Sequence, residues 1–230
     1  MPDYDNAYFL NSAGLALLLS KKEVSELYCL DYFGDDIVID DESACQTLFS
    51  LVGDELVSVD GDDSFYLYDE LEEITDTMVN ADLIYALYSD KGGFASRLYY
   101  VNKDSAVLLQ PDSRRKSVLK LIKLNSAEVC DDIYNSINIK KEITDDENRL
   151  FIESLELIDI GDSFEQIIIN KRTNAFIDVF SPRAEKSVKK AGVLTSRNEQ
   201  YLCTWSADGY MSQPYNRENL FEFLLQAVED

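Results

Sequence analysis

A chain that performs acid–base or nucleophilic chemistry near neutral pH needs a group that changes charge there, and histidine is the usual one. This chain of 230 residues has none. Its serines and cysteines therefore have no imidazole to activate them. Carboxylates are abundant, 44 in all, so close pairs arise by chance and no motif singles one out. Asp60-x-Asp62-x-Ser64 begins like a calcium loop. Such a loop needs glycine where Phe65 stands and a bidentate glutamate where Leu71 stands, and the reading fails there. Lys91-Gly92-Gly93 reads as a hairpin turn rather than a phosphate cradle, and neither a Walker loop nor GxGxxG occurs. Cys29, Cys45, Cys130 and Cys203 are scattered without a CxxC. They read as reduced, apolar fillers, which points to the cytoplasm. The expectation is a protein without catalytic residues, metal or cofactor, one that works by binding.

Charge narrows the partners. The formal net charge is −23, which repels phosphate backbones and anionic lipid surfaces, so neither nucleic-acid binding nor membrane insertion is expected. The charge is unevenly spread. Residues 1–90 hold 22 acids and only Lys21 and Lys22, giving 2 − 22 = −20, while residues 91–230 hold 22 acids and 19 bases, giving −3. The acidic part is either a docking face for a basic partner or a solvated face that maintains solubility. Basic residues cluster at Arg114, Arg115, Lys116, Lys120 and Lys123, and again at Arg183, Lys186, Lys189 and Lys190.

These residues must be carried by elements that periodicity outlines. Ala7 to Leu19 is apolar, but Asp3 and Asp5 precede it where a leader would place a cation. Tyr8, Leu15, Leu18 and Leu19 fit a packed first helix instead. No run of about 18 apolar residues offers a membrane span. Ser20-Lys21-Lys22-Glu23 is a capping-box pattern and predicts a second helix burying Val24, Leu27, Tyr28 and Cys29. Asp40 or Asp41 caps a third, with Ala44, Leu48, Phe49 and Val52 on its inner face and Gly53 as its stop. Glu55–Val59 and Ser64–Tyr68 form a hairpin around Asp60–Asp63. Leu71, Ile74, Met78 and Val79 mark a further helical face. Helices followed by a hairpin resemble a winged-helix module, here too acidic for DNA.

From Ala81 the pattern turns to strands: Leu83–Tyr88, Ala95–Val101, Ala106–Leu109 and Val118–Leu124, followed by a helix from Asn125 to Ile137 capped by Asn125 or Ser126. A second series follows the polar link Asn138–Asn148. It comprises Leu155–Ile160, Phe164–Ile169 paired with Ala175–Phe180, a basic loop opened by Pro182, Gln200–Trp205, Tyr210–Gln213, and a terminal helix. Asn216 caps that helix, and Leu220, Phe223, Leu224 and Val228 form its face. Arg97–Pro111 aligns with Gln166–Pro182 around Asn102-Lys103 and Asn170-Lys171. The fold expected is α+β, with two quasi-symmetric antiparallel sheet-plus-helix halves. The divisions are 1–80 (acidic, helical, winged-helix-like), 81–137 (first meander and helix) and 149–230 (second meander and helix). The 14 tyrosines lie mostly in or near strands, where they serve either an exposed contact face or a core with hydroxyls at its rim.

This order of elements resembles the EspG-type chaperones of type VII (ESX) secretion systems and their Gram-positive counterparts that escort toxins. The residues that carry the resemblance are ESACQTLFSLVGDELVSV, Glu42 to Val59, then ADLIYALYSDKGGFASRLYYVNKDSAVLL, and the ending TWSADGYMSQPYNRENLFEFLLQAVED, Thr204 to Asp230. The resemblance implies a non-enzymatic, cytosolic protein. It would bind a secreted effector or toxin with a helical targeting region and deliver it to the export machinery. It also implies contact through the C-terminal half, around Arg183, Lys186, Lys190, Trp205 and Tyr210. The lone tryptophan also fits a core position. A different class of binding protein, an immunity protein that plugs a basic toxin with its acidic face, fits the charge of residues 1–90.

Overall fold

Six consecutive residues, Leu83–Tyr88, are all buried. A strand buried on both sides must lie inside a sheet with layers above and below it, and the rest of the fold is arranged around that requirement. The structure is a computed structural model and describes residues 7–24, 27–33, 41–60, 64–89, 95–115, 118–137, 173–196, 199–206 and 209–226. Its strands are β1 (Ala7–Asn11), β2 (Val57–Val59), β3 (Phe65–Leu67), β4 (Leu83–Tyr88), β5 (Arg97–Val101), β6 (Ser105–Pro111), β7 (Val118–Asn125), β8 (Thr173–Ser181), β9 (Lys186–Ser196), β10 (Glu199–Ser206) and β11 (Gly209–Pro214). The α-helices are α1 (Ser12–Ser20), α2 (Asp41–Gly53), α3 (Asp69–Val79), α4 (Val129–Ser136) and α5 (Arg217–Gln226). Nine strands form one antiparallel sheet in the order β1-β7-β6-β5-β4-β8-β9-β10-β11, and β2 and β3 form a separate hairpin. The α+β architecture expected from the sequence is the one observed.

Register assigns the faces. Leu121, Leu109, Leu98 and Ala86 stand opposite one another across β7, β6, β5 and β4. They share a core with Leu15 and Leu18 of α1 and Leu71, Ile74 and Met78 of α3. The alternate row, Ile122, Leu108, Tyr99 and Tyr85, shares the other core with Val129 and Ile133 of α4 and Leu220 and Phe223 of α5. The period of two along each strand therefore sorts the side chains into two cores, one under each helical layer.

The N-terminal expectations need correction. Ala7–Leu19 is not one helix: Ala7–Asn11 pairs with β7, and the helix starts only at Ser12. Asn11 explains the switch, because its extended backbone ends the strand while its Oδ1 accepts from Gly14 N at 2.6 Å. The Ser20 capping box does not form. Ser20 is the last residue of α1, its hydroxyl donates to Leu17 O, and Glu23 follows at φ 58°. Leu27 and Cys29 are buried as expected, but by irregular chain leading to a short 3-10 turn at Leu30–Phe33. Helix α2 ends at Gly53 as predicted, and Leu48 packs on the core as expected, but Phe49 and Val52 of the expected inner face do not. Thr47 and Leu51 are buried while Phe49 and Val52 are exposed, because the helix is apolar on two sides and packing selects one of them.

Both meanders end in an asparagine-capped helix. Asn125 accepts from Ala127 N while Glu128 accepts from the Asn125 backbone, a reciprocal box. Asn216 accepts from Asn219 N at 2.8 Å. The basic loop after Pro182 is shorter than expected. Residues 182–185 turn, and Lys186–Ser196 is an 11-residue strand in the sheet interior. Lysines masked it, although Ala191 and Val193 are fully buried. The alignment of Arg97–Pro111 with Gln166–Pro182 rests partly on residues 166–172, which lie outside the described residues; β5 and β6 occupy its first segment and β8 the end of its second. The edges of β8 are held by β4 and β9. The expected strands at Leu155–Ile160 and Phe164–Ile169, the link Asn138–Asn148 and the Lys91–Gly93 turn lie outside the described residues.

Candidate interaction surface

Several of the described groups with chemical potential serve the fold. Tyr99 Oη and Arg97 Nη1 both reach Asp132 Oδ2 at 2.7 Å, fastening α4 to β5. Tyr85 donates to Leu224 O, and Tyr100 donates to Tyr28 O. Burial, with the Asp132 charge, holds the Tyr99 phenol far above its usual range. The Cys130 thiol is pushed up to about 11, chiefly by burial, and is therefore an un-ionised thiol at neutral pH. Cys29, Cys130 and Cys203 are buried and only Cys45 is exposed. Among the described residues, no group of three His, Cys, Asp or Glu is placed to hold a metal, and no helix is long and apolar enough to cross a membrane. The tyrosines divide between the two uses: Tyr85, Tyr88, Tyr99, Tyr100 and Tyr215 are core, while Tyr66 and Tyr68 are exposed.

The five residues singled out in the C-terminal half fall into two places. Arg183 lies in the β8–β9 turn, with Lys186 at the start of β9. Both are exposed, and Arg183 pairs with Asp82 Oδ1. Lys190 is 7% exposed and stands opposite Asp178 on β8 and Trp205 on β10. Trp205 in turn stands opposite Tyr210 on β11. Register thus places Lys190, Trp205 and Tyr210 in one lateral row, and leaves Arg183 and Lys186 at the end of the sheet. The side chains of Trp205 and Tyr210 lie outside the described set. Asp178 is also buried. Burial raises its carboxyl pKa, against the Ser187 hydroxyl that donates to it and the Lys190 charge, which both lower it.

Two exposed apolar stripes escape sequence reasoning. On α2, Cys45, Phe49 and Val52 recur at i, i+4 and i+7, and Phe49 is 79% exposed. On α5, Phe221 and Leu225 are both about half exposed and lie one turn apart. The available signal was that each helix has apolar residues on two faces, and one helix has only one inward face. The two lysines of the acidic region are occupied. Lys22 pairs with Glu72 and with Asp76 at 2.7 Å, and Lys21 lies over the rings of Phe65 and Tyr66.

No family model matches the chain. No curated protein matches it either. Among solved structures, it is similar to the Mycobacterium tuberculosis type VII secretion system chaperone EspG5, solved in complex with a PE25-PPE41 dimer. The TM-score is 0.56 at 10% identity, over 98% of this chain and 96% of that one. This is a distant structural relationship and defines a fold class: the long antiparallel sheet with helices on both faces is EspG-like along the whole chain.

Proposed function

We propose that this chain is a cytosolic chaperone or adaptor of the type VII secretion kind. It binds a secreted effector or toxin by a helical targeting region, covers the apolar surface of that region, and delivers the protein to the export machinery without performing chemistry. The observation that supports this reading is the end-to-end fold likeness to a chaperone that was solved on a bound protein dimer. Elementary physics agrees with it. A sheet clamped by two helical layers is a rigid platform, and helices that expose apolar stripes can receive another helix. The proposed contact lies on the C-terminal half, with Arg183 and Lys186 as exposed cations, Trp205 and Tyr210 as aromatic anchors, and Lys190 as the residue that organises their row. The units proposed to carry these roles are 1–80, 81–137 and 149–230.

The test is co-expression with a helical secreted protein encoded beside this chain, followed by size-exclusion chromatography. Escort predicts a co-eluting complex that keeps the partner soluble, is lost when the targeting helices are deleted, and leaves any toxin domain active. A complex with the folded toxin domain alone, abolishing its activity, overturns escort and establishes neutralisation by the acidic face.

A further inference from the structure

The outer face of α2 combines three features that select one kind of partner. First, Cys45, Phe49 and Val52 form an exposed apolar stripe along the helix. Second, the stripe runs out at Gly53, which is exposed, and a Cβ built there meets no atom within 4 Å. A neighbouring backbone can therefore approach closely at that end. Third, the C-terminal pole of α2 carries partial negative charge, and exposed Asp54 and Glu55 follow it immediately. No Lys or Arg occurs between Glu23 and Asp90, and the two lysines just before that stretch are held by Glu72, Asp76 and the Phe65 and Tyr66 rings. Among the described residues, no cation pairs with Asp54 or Glu55.

We propose that the Cys45–Phe49–Val52–Gly53 face of α2 is a docking site for a basic amphipathic helix of a partner protein. The partner's apolar stripe packs on Phe49 and Val52, and its Lys or Arg residues meet Asp54, Glu55 and the C-terminal pole of α2. Charge complementarity selects this occupant. A second copy of this chain would bring like charge to like charge, and an anionic surface would be repelled. The site lies outside the β8–β9 turn and the β10–β11 row proposed above, so either surface can fail while the other stands.

The test uses the full chain and a labelled synthetic peptide of about 18 residues, built from Leu and Lys with one apolar face. The control peptide has the same composition in an order that breaks that face. Fluorescence anisotropy is expected to show the amphipathic peptide binding at least about tenfold more tightly than the control, with affinity falling as salt rises. Phe49→Ser and Gly53→Lys are expected to erase that preference. Both are surface changes, and Gly53→Lys replaces a helical glycine with a better helix former, so its thermal midpoint should not fall. Phe221→Ser on α5 should leave the preference intact. The proposal is overturned if both peptides bind alike, if the α2 variants bind like the parent, or if Phe221→Ser removes the preference instead. Concentration-dependent self-association of the parent that Phe49→Ser abolishes also overturns it, by making the occupant a second copy.

Discussion

Among the described residues the two meanders run the same course, four antiparallel strands and then a capped helix, yet one lateral row of the sheet changes character between them. In β7 to β4 the row reads Leu121, Leu109, Leu98 and Ala86, and it closes against α1 and α3. Continued across β8 and β9 it becomes Asp178 and Lys190, both buried, and then Trp205 and Tyr210. The first half obtains its stability from area removed from water. The second places two opposite charges under cover, where attraction has to offset desolvation. Identical backbone plans thus support an inert wall on one side and a polar, rigidly held row on the other.

The largest effect is expected where the first half does bury a charge. Asp132→Ala removes the acceptor shared by Arg97 and Tyr99 and should cost about 3 kcal/mol in urea unfolding. A loss below about 1 kcal/mol would mean that the fastening of α4 is apolar. Next, Lys190→Met strands the buried Asp178 carboxylate and should cost about 2 kcal/mol at neutral pH, with Asp178→Asn added to it restoring part of the loss.

The same pair has a pH signature. Burial raises the Asp178 pKa above its usual 3.8, so the native state holds that proton more firmly than the unfolded chain. Its contribution is complete below the unfolded value and is lost as pH rises through the folded one. Asp178→Asn should therefore flatten the decline of stability on the alkaline side of 3.8. Unfolding titrations of the two proteins that superpose in slope would refute the assignment.

Smaller effects sharpen the parallel between the halves. Asn216→Ala should cost about 1 kcal/mol as a lost N-cap, and Asn125→Ala somewhat more, because Glu128 completes a reciprocal box at that end only. Equal losses would show that the Glu128 contact adds nothing. Smallest of all, Phe49→Ser should shift the thermal midpoint hardly at all, within about 0.5 kcal/mol, since the ring covers no core.

Much of this was legible because it is local. Leu83–Tyr88 announced a strand, Asn125 and Asn216 announced helix starts, and the hairpin around Asp60–Asp63 announced itself by its turn residues. The misreadings share one cause. Ala7–Asn11 has the composition of a helix, but the open edge of β7 offered it hydrogen bonds; Lys186–Ser196 has the composition of a loop, but neighbours on both sides made it a strand. Periodicity reports an apolar stripe without reporting what lies across from it.

The sequence by itself determined the absence of imidazole, the concentration of acid before Asp90, the α+β pattern and the caps at Asn125 and Asn216, since each depends on residue identity and short spacing. Tertiary structure alone decided which of two apolar faces of α2 is core, that Lys190 is buried beside Asp178, and that Lys21 and Lys22 are engaged. Those outcomes depend on distances between residues remote in the chain, and burial, which sets the strength of every charge, exists only once the layers have closed.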